Sequence, residues 1–185
     1  MKRLIPFCFF LACHSTLAQD DTSYAAMLKT TEEIHLADSL EINSMDWTLQ
    51  RLDSIDLKKW FSPILGSTTN NRLKNRKYFL AGKITVSKKF DLLVLVEEKK
   101  KGDELNSTVQ VIYFITVKKN GKFIASLEVA VTGIKKKTNY NTSSWLYNDF
   151  KIMKDSKYII NEKPFNDLVI YKISEGGRFI LYPNY

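Results

Sequence analysis

From Lys77 onward the chain repeats with a period of two, and this constrains its fold more than any other feature. Tyr78, Leu80, Ile84 and Val86 alternate with Lys77, Lys83 and Thr85. Val109, Val111, Tyr113, Ile115 and Val117 form a second alternating run, and Phe123, Ala125, Leu127, Val129 and Val131 a third. That is the repeat of strands with one face in a core and the other toward water. Residues 90–96 (FDLLVLV) are apolar on both faces and read as a central strand. Between the second and third runs, Lys119-Asn120-Gly121-Lys122 carries the Asn-Gly pair that favours a two-residue type I′ hairpin turn. Further strands are expected over 145–153, 158–160, 168–173 and 178–182, the last two joined across Glu175-Gly176-Gly177. Parallel neighbours need crossovers of about a dozen residues or more, so the expected architecture is an antiparallel β-meander of seven or eight strands. Closure as an open sheet, a sandwich or a barrel stays undecided at this level.

The preceding part has a different period. Tyr24, Met27, Leu28, Thr31 and Ile34 follow helical spacing behind Asp20 and Asp21, and Thr30-Thr31-Glu32-Glu33 resembles a capping box that would carry a helix toward Leu40. Met45, Leu49, Leu52, Ile55 and Trp60 suggest a second helix stopping at Ser62-Pro63. Residues 66–75 read as a polar loop. The expected fold class is α+β and mainly β, with an acidic helical segment over 19–62 and an antiparallel β domain over 77–185. Charge divides the same way: residues 20–60 carry a net charge of −5 and residues 61–185 a net charge of +11. The simplest explanation is that the acidic segment lies on the basic one.

Residues 1–18 read as an export signal. Lys2 and Arg3 precede a short apolar run, 4–12, and a small polar exit ending Leu17-Ala18. A membrane-spanning helix needs about 20 apolar residues, roughly twice this run, so a cleaved secretory signal before Gln19 is expected. Phe10-Leu11-Ala12-Cys13 offers the alternative of a lipid anchor through Cys13, although Phe10 stands where such motifs normally carry Leu. Either way the expected location is exported, periplasmic or secreted, with membrane attachment only if Cys13 is lipidated.

Beyond that signal the chemical inventory is thin. Cys8, Cys13 and His14 all fall inside it, which leaves His35 as the one imidazole of the mature chain. Disulfide scaffolds, thiolate-bound metals and cysteine nucleophiles are thereby excluded, and no metal site is expected. Neither Gly-x-Ser-x-Gly, Gly-x-Gly-x-x-Gly, a P-loop nor a calcium loop is present, so no cofactor and no catalytic residue is assigned. Carboxylates such as Glu128 and Asp149 keep one enzymatic alternative open, a hydrolase acting on envelope glycan. Glu128 has apolar neighbours, Ile124 and Ala130, which would raise its pKa by desolvation.

What does stand out is lysine. Lys99-Lys100-Lys101 and Lys135-Lys136-Lys137 each fall at a strand end. A meander sends alternate turns to opposite ends, so the two triplets are expected at one end and the Asn-Gly hairpin at the other. Converging, they would attract an anion. Tyr140 and Trp145 follow the second triplet and would add stacking area. The competing explanation is that lysines keep sheet edges soluble. An exported protein seldom meets nucleic acid, so the expected partner is an anionic envelope component (acidic glycan, lipopolysaccharide or acidic protein).

Taken together, the signal ending Leu17-Ala18-Gln19, the helix-then-meander order and the hairpin of 109–118, Asn120-Gly121 and 122–131 resemble the small uncharacterised secreted or lipoprotein-like proteins of Gram-negative bacterial envelopes. The resemblance implies location and general shape, and no catalytic residue carries over with it. The function expected is non-enzymatic binding, with the hydrolase and an inhibitor or immunity-type protein as the alternatives.

Overall fold

The computed structural model describes residues 18–43, 50–66, 73–100, 108–132, 134–135, 138–160 and 162–183. The expected export signal therefore lies outside the described residues apart from Ala18. The elements are α1 (Ala18–Lys29), β1 (Ser39–Ile42), β2 (Gln50–Arg51), α2 (Ser54–Trp60), α3 (Ser62–Leu65), β3 (Arg76–Ile84), β4 (Phe90–Lys100) and β5 (Thr108–Lys118). They continue with β6 (Phe123–Thr132), β7 (Ile134–Lys135), β8 (Thr138–Tyr147), β9 (Lys151–Ile160), β10 (Lys163–Ile173) and β11 (Phe179–Leu181).

Among the described residues, nine strands form one open antiparallel meander in the order β2-β3-β4-β5-β6-β8-β9-β10-β11, with β1 and β7 paired to β8. The fold is thus mainly β, and the sheet does not close into a barrel. It does bend. β8 meets β6 at Val131–Thr142, and farther along β8 its partner is β1, from Ile42–Ser144 to Ser39–Tyr147. Beyond this corner the later strands return over the earlier ones. Leu146, Ile152 and Ile173 pack in one core with Leu92, Val94, Val96, Ile112 and Phe114. The hydroxyl of Thr116 on β5 donates to the carbonyl of Gly177 after β10, at 2.5 Å.

The opposite face of β3–β5 is covered by the helices. Tyr24, Met27, Leu57, Trp60, Phe61 and Ile64 bury against Tyr78, Leu80, Leu93, Leu95, Ile115 and Val117. β4 is therefore buried on both faces, as its two-sided apolar sequence requires. Each such side chain contributes about 1.5–3 kcal/mol when buried, whereas an exposed ion pair contributes about 0–1 kcal/mol. Apolar packing therefore holds these helix residues on the sheet. Ion pairs such as Lys119–Asp91 (2.5 Å) and Lys154–Glu128 (3.7 Å) join sheet residues to one another.

Four local expectations are corrected. The first helix ends at Lys29. The hydroxyls of Thr30 and Thr31 both donate to the Met27 carbonyl, at 2.9 and 2.8 Å, and side chains that satisfy helix-end carbonyls close a helix. The chain then runs extended beside β3, with Lys83 N–H donating to Glu32 C=O and Ile34 N–H to Lys83 C=O; His35 follows in this stretch, exposed. The second helix starts at Ser54, because the Asp53 carboxylate accepts from Ile55 and Asp56 N–H at 2.8 Å each. Residues 44–49 of the expected helix are outside the described residues. The strand expected over 145–153 is two strands, β8 and β9, joined by a turn.

The Asn-Gly hairpin forms, but with a different turn. Gly121 is left-handed (φ +83°) and its N–H bonds the Lys118 carbonyl, while Lys118 N–H bonds Lys122 C=O. This is a three-residue loop with a glycine bulge. Asn120 instead uses its side chain to accept from Lys122 N–H at 3.2 Å. The same pattern closes β10–β11: Gly177 has φ +80°, its N–H bonds Ser174 C=O, and Ser174 N–H bonds Arg178 C=O. The two turns also share a sequence pattern, glycine-base-Phe-Ile, at 121–124 and 177–180.

Candidate functional site: a basic groove at the end of the sheet

Antiparallel register decides which cations meet. Arg76 and Lys77 at the start of β3 are the partners of Lys99 and Glu98 near the end of β4, and Arg51 on β2 pairs with Phe79 on β3. These strands, with Lys74 just before β3, bring Arg51, Lys74, Arg76, Lys77 and Lys99 around one groove of about 600 Å³; among the described residues its lining has a single carboxylate, Glu98. An adjoining hollow of about 360 Å³ shares Arg51, Leu73, Arg76 and Lys77 and reaches Asp53, which caps α2, and Leu57 on that helix.

Arg76 and Lys99 stand directly opposite each other, an arrangement of like charges that disfavours strand pairing. Glu97 offsets it. Its side chain is 4% exposed and forms an ion pair with the Arg76 guanidinium. Its other oxygen, Oε2, is buried without a hydrogen-bond partner among the described residues. Arg76 is thereby fixed as part of the wall. Arg51, Lys74, Lys77 and Lys99 are exposed and present their charges to the groove. Glu98 accepts a long hydrogen bond of 3.4 Å from the Gln110 amide.

The residues singled out from the sequence distribute as follows. Lys99 belongs to the groove, and Lys100 is the last residue of β4. Lys135 pairs with Thr138 in the β7–β8 hairpin. The register places β4's end and this hairpin at the same end of the sheet, and the 118–122 hairpin at the other. β5 and β6 separate β4 from β8, so Lys99 and Lys100 are not strand neighbours of Lys135. Lys101, Lys136 and Lys137 are outside the described residues. Tyr140 is the strand partner of Tyr158 on β9, at the lysine end. Trp145 lies toward the opposite end of β8, half-buried between Glu41 and Met153, and is not brought together with the lysines.

The two carboxylates of the hydrolase alternative are each engaged by a different lysine. Glu128 on β6 faces Lys154 at 3.7 Å. Asp149 lies in the β8–β9 turn, where the Lys151 ammonium at 2.7 Å holds its carboxyl below the usual value. Among the described residues no cluster of three or more His, Cys, Asp or Glu side chains could hold a metal, and no helix is long and apolar enough to cross a membrane.

The groove residues Arg51, Lys74, Arg76 and Lys77 were not singled out by sequence reasoning. One signal was available: residues 72–77 (RLKNRK) hold four bases in six positions. The position of Arg51 depends on strand pairing and has no local signature. Comparison with protein-family models, curated proteins and solved structures gives no match.

Proposed function

We propose that this protein is an exported, non-enzymatic binding protein of the bacterial envelope, and that it holds an anionic partner in the Arg51–Arg76–Lys99 groove. The observation that carries this reading is the groove's lining among the described residues: four exposed cations (Arg51, Lys74, Lys77 and Lys99) and the Glu97-paired Arg76 against one lining carboxylate in a concave site. Low-dielectric walls around charge of one sign concentrate counter-ions. An acidic glycan, lipopolysaccharide or an acidic protein fits that chemistry. The hydrolase reading has less support, because Glu128 and Asp149 are each engaged by a different lysine.

The test is retention on immobilised heparin, used as a polyanion probe. Raising salt from ~0.15 M toward ~0.5 M shortens screening from about 8 Å to roughly 4 Å, so the wild type is expected to bind at the first and elute by the second. Replacing the four exposed groove cations by Ser (Arg51, Lys74, Lys77 and Lys99) should move elution to clearly lower salt. A charge-matched control replaces Lys88, Lys118, Lys122 and Arg178, exposed residues near the hairpin end, and should elute later than the groove variant. Identical elution of the two variants would mean that net charge, not the groove, governs binding, and the proposal would fail.

A further inference from the structure

At the opposite end of the molecule lies a second concavity, with different chemistry. A cavity of about 640 Å³ is formed by the β3–β4 loop, the β8–β9 turn and the β10–β11 region. Phe90, Phe150, Ile173 and Ile180 build apolar walls, and its size falls within the roughly 300–1,000 Å³ of small-molecule sites. Ile180 and Tyr182 are 53% and 40% exposed at the site, so apolar surface is left uncovered where a ligand would cover it.

Phe150 gives an independent pointer. Its N–H bonds the Tyr147 carbonyl at 2.9 Å, and it has φ +63°. The turns at Gly121 and Gly177 put glycine in the matching position. A bulky aromatic there is a backbone outlier, and strain of this kind persists at sites where the side chain has a task. The Phe150 ring supplies that task as a wall of the cavity.

Charge around the cavity indicates the head group. Lys89 and Lys172 line it, and Lys151 and Lys172 stand 5.3 and 6.0 Å from the centre of the Tyr182 ring. Of the two carboxylates present, Asp149 is bound to Lys151 at 2.7 Å, and Glu175 forms a 3.7 Å ion pair with Lys89 in which both side chains are largely exposed, 97% and 73%. An exposed pair of that kind is weak, so an incoming anionic head displaces Glu175 from Lys89 while also meeting Lys172. We infer that this cavity binds a single-chain amphiphile with an anionic head, of the fatty-carboxylate class, its chain against Phe90, Phe150, Ile173 and Ile180 and its head at Lys89 and Lys172.

The experiment is isothermal titration with dodecanoate, kept below its micellar range, and with dodecanol as the neutral comparison. Saturable 1:1 binding of dodecanoate is expected. Replacing Lys89 and Lys172 by Met should weaken dodecanoate roughly five- to tenfold, as for partly exposed charge contacts, and leave dodecanol unchanged. Ile180→Glu, at an exposed wall position, should abolish binding of both. Phe150→Asn should also weaken both, since asparagine tolerates the left-handed region and keeps the turn while removing the ring. The groove variant of the preceding section should bind dodecanoate like the wild type, so the two readings fail separately. Absence of saturable dodecanoate binding, binding unchanged in Ile180→Glu, or dodecanol bound as tightly as dodecanoate would overturn the inference.

Discussion

Substituting Gly121 by Ala tests how the helical layer docks on the sheet. At φ +83° a Cβ on Gly121 would lie 2.4 Å from Cζ3 and 2.8 Å from Cε3 of Trp60, with Tyr24 Cγ at 3.1 Å. Trp60 and Tyr24 are both buried, and their rings pack at 5.3 Å, so neither can swing into water. The left-handed backbone alone costs a non-glycine residue about 1–2 kcal/mol, and forcing an extra methyl into a packed core costs about 1–3 kcal/mol more. Gly177→Ala isolates the first of these. It has nearly the same φ, +80°, but its Cβ would meet Ile124 Cδ1 at 3.1 Å and the Phe90 ring at 3.3 Å, contacts that a few tenths of an ångström relieve. Urea denaturation should therefore show Gly121→Ala losing about 2–5 kcal/mol and Gly177→Ala about 1–2 kcal/mol. In a Trp60→Leu background the ring is gone, and Gly121→Ala should fall to the backbone value of about 1–2 kcal/mol. Equal losses at Gly121 in both backgrounds would refute the argument, because the clash with Trp60 would then contribute nothing.

Two further predictions concern charge. Arg76→Met strips the counter-charge from Glu97, whose side chain is 4% exposed, and should cost about 3–5 kcal/mol in urea denaturation; adding Glu97→Leu should recover most of it. At the Asp149–Lys151 pair, the bond donated by Lys151 holds the Asp149 carboxyl below its ordinary 3.8. A depressed carboxyl contributes stability above its unfolded pKa and loses it as pH falls through the folded value, so this contribution should disappear only below pH 3.8. Lys151 moves the other way, raised from 10.5 chiefly by the bond to Asp149, so its contribution is full below that value and is lost as pH rises through the raised one. An NMR titration of Asp149 should give a midpoint under 3.8 that returns upward in Lys151→Met; an unchanged midpoint would remove the pair as the cause.

How far the sequence reaches differs from element to element. Two-residue alternation is a local property, because successive strand side chains point to opposite faces. It accordingly located β3, β5 and β6, and the two-sided run at Phe90 marked the central strand. Alternation of turns along a meander is also why Lys99, Lys100 and Lys135 share one end of the sheet. Where backbone partners come from afar, local pattern misleads. The sequence predicts a helix running on through Ile34 toward Leu40, yet Thr30 and Thr31 close it and β3 and β8 supply the hydrogen bonds that make the following residues extended. Asn120-Gly121 fixed the site of a hairpin, whereas the Asn120 side-chain bond to Lys122 N–H accompanies the three-residue loop.

The candidate sites divide along the same line. Lys99 was legible as part of a run of charge. Its grouping with Arg51, Lys74, Arg76 and Lys77 required the register of three strands. The cavity at the other end draws on four separated stretches between Val86 and Tyr182 and exists because the sheet turns a corner at Val131–Thr142. By itself the sequence determined strands β3 to β6 and the site of the hairpin between β5 and β6, since period and turn chemistry act over a few residues. Tertiary structure alone decided the bend, the covering of β4 on both faces and the two concave sites, because each depends on surfaces from distant segments meeting across a shared core.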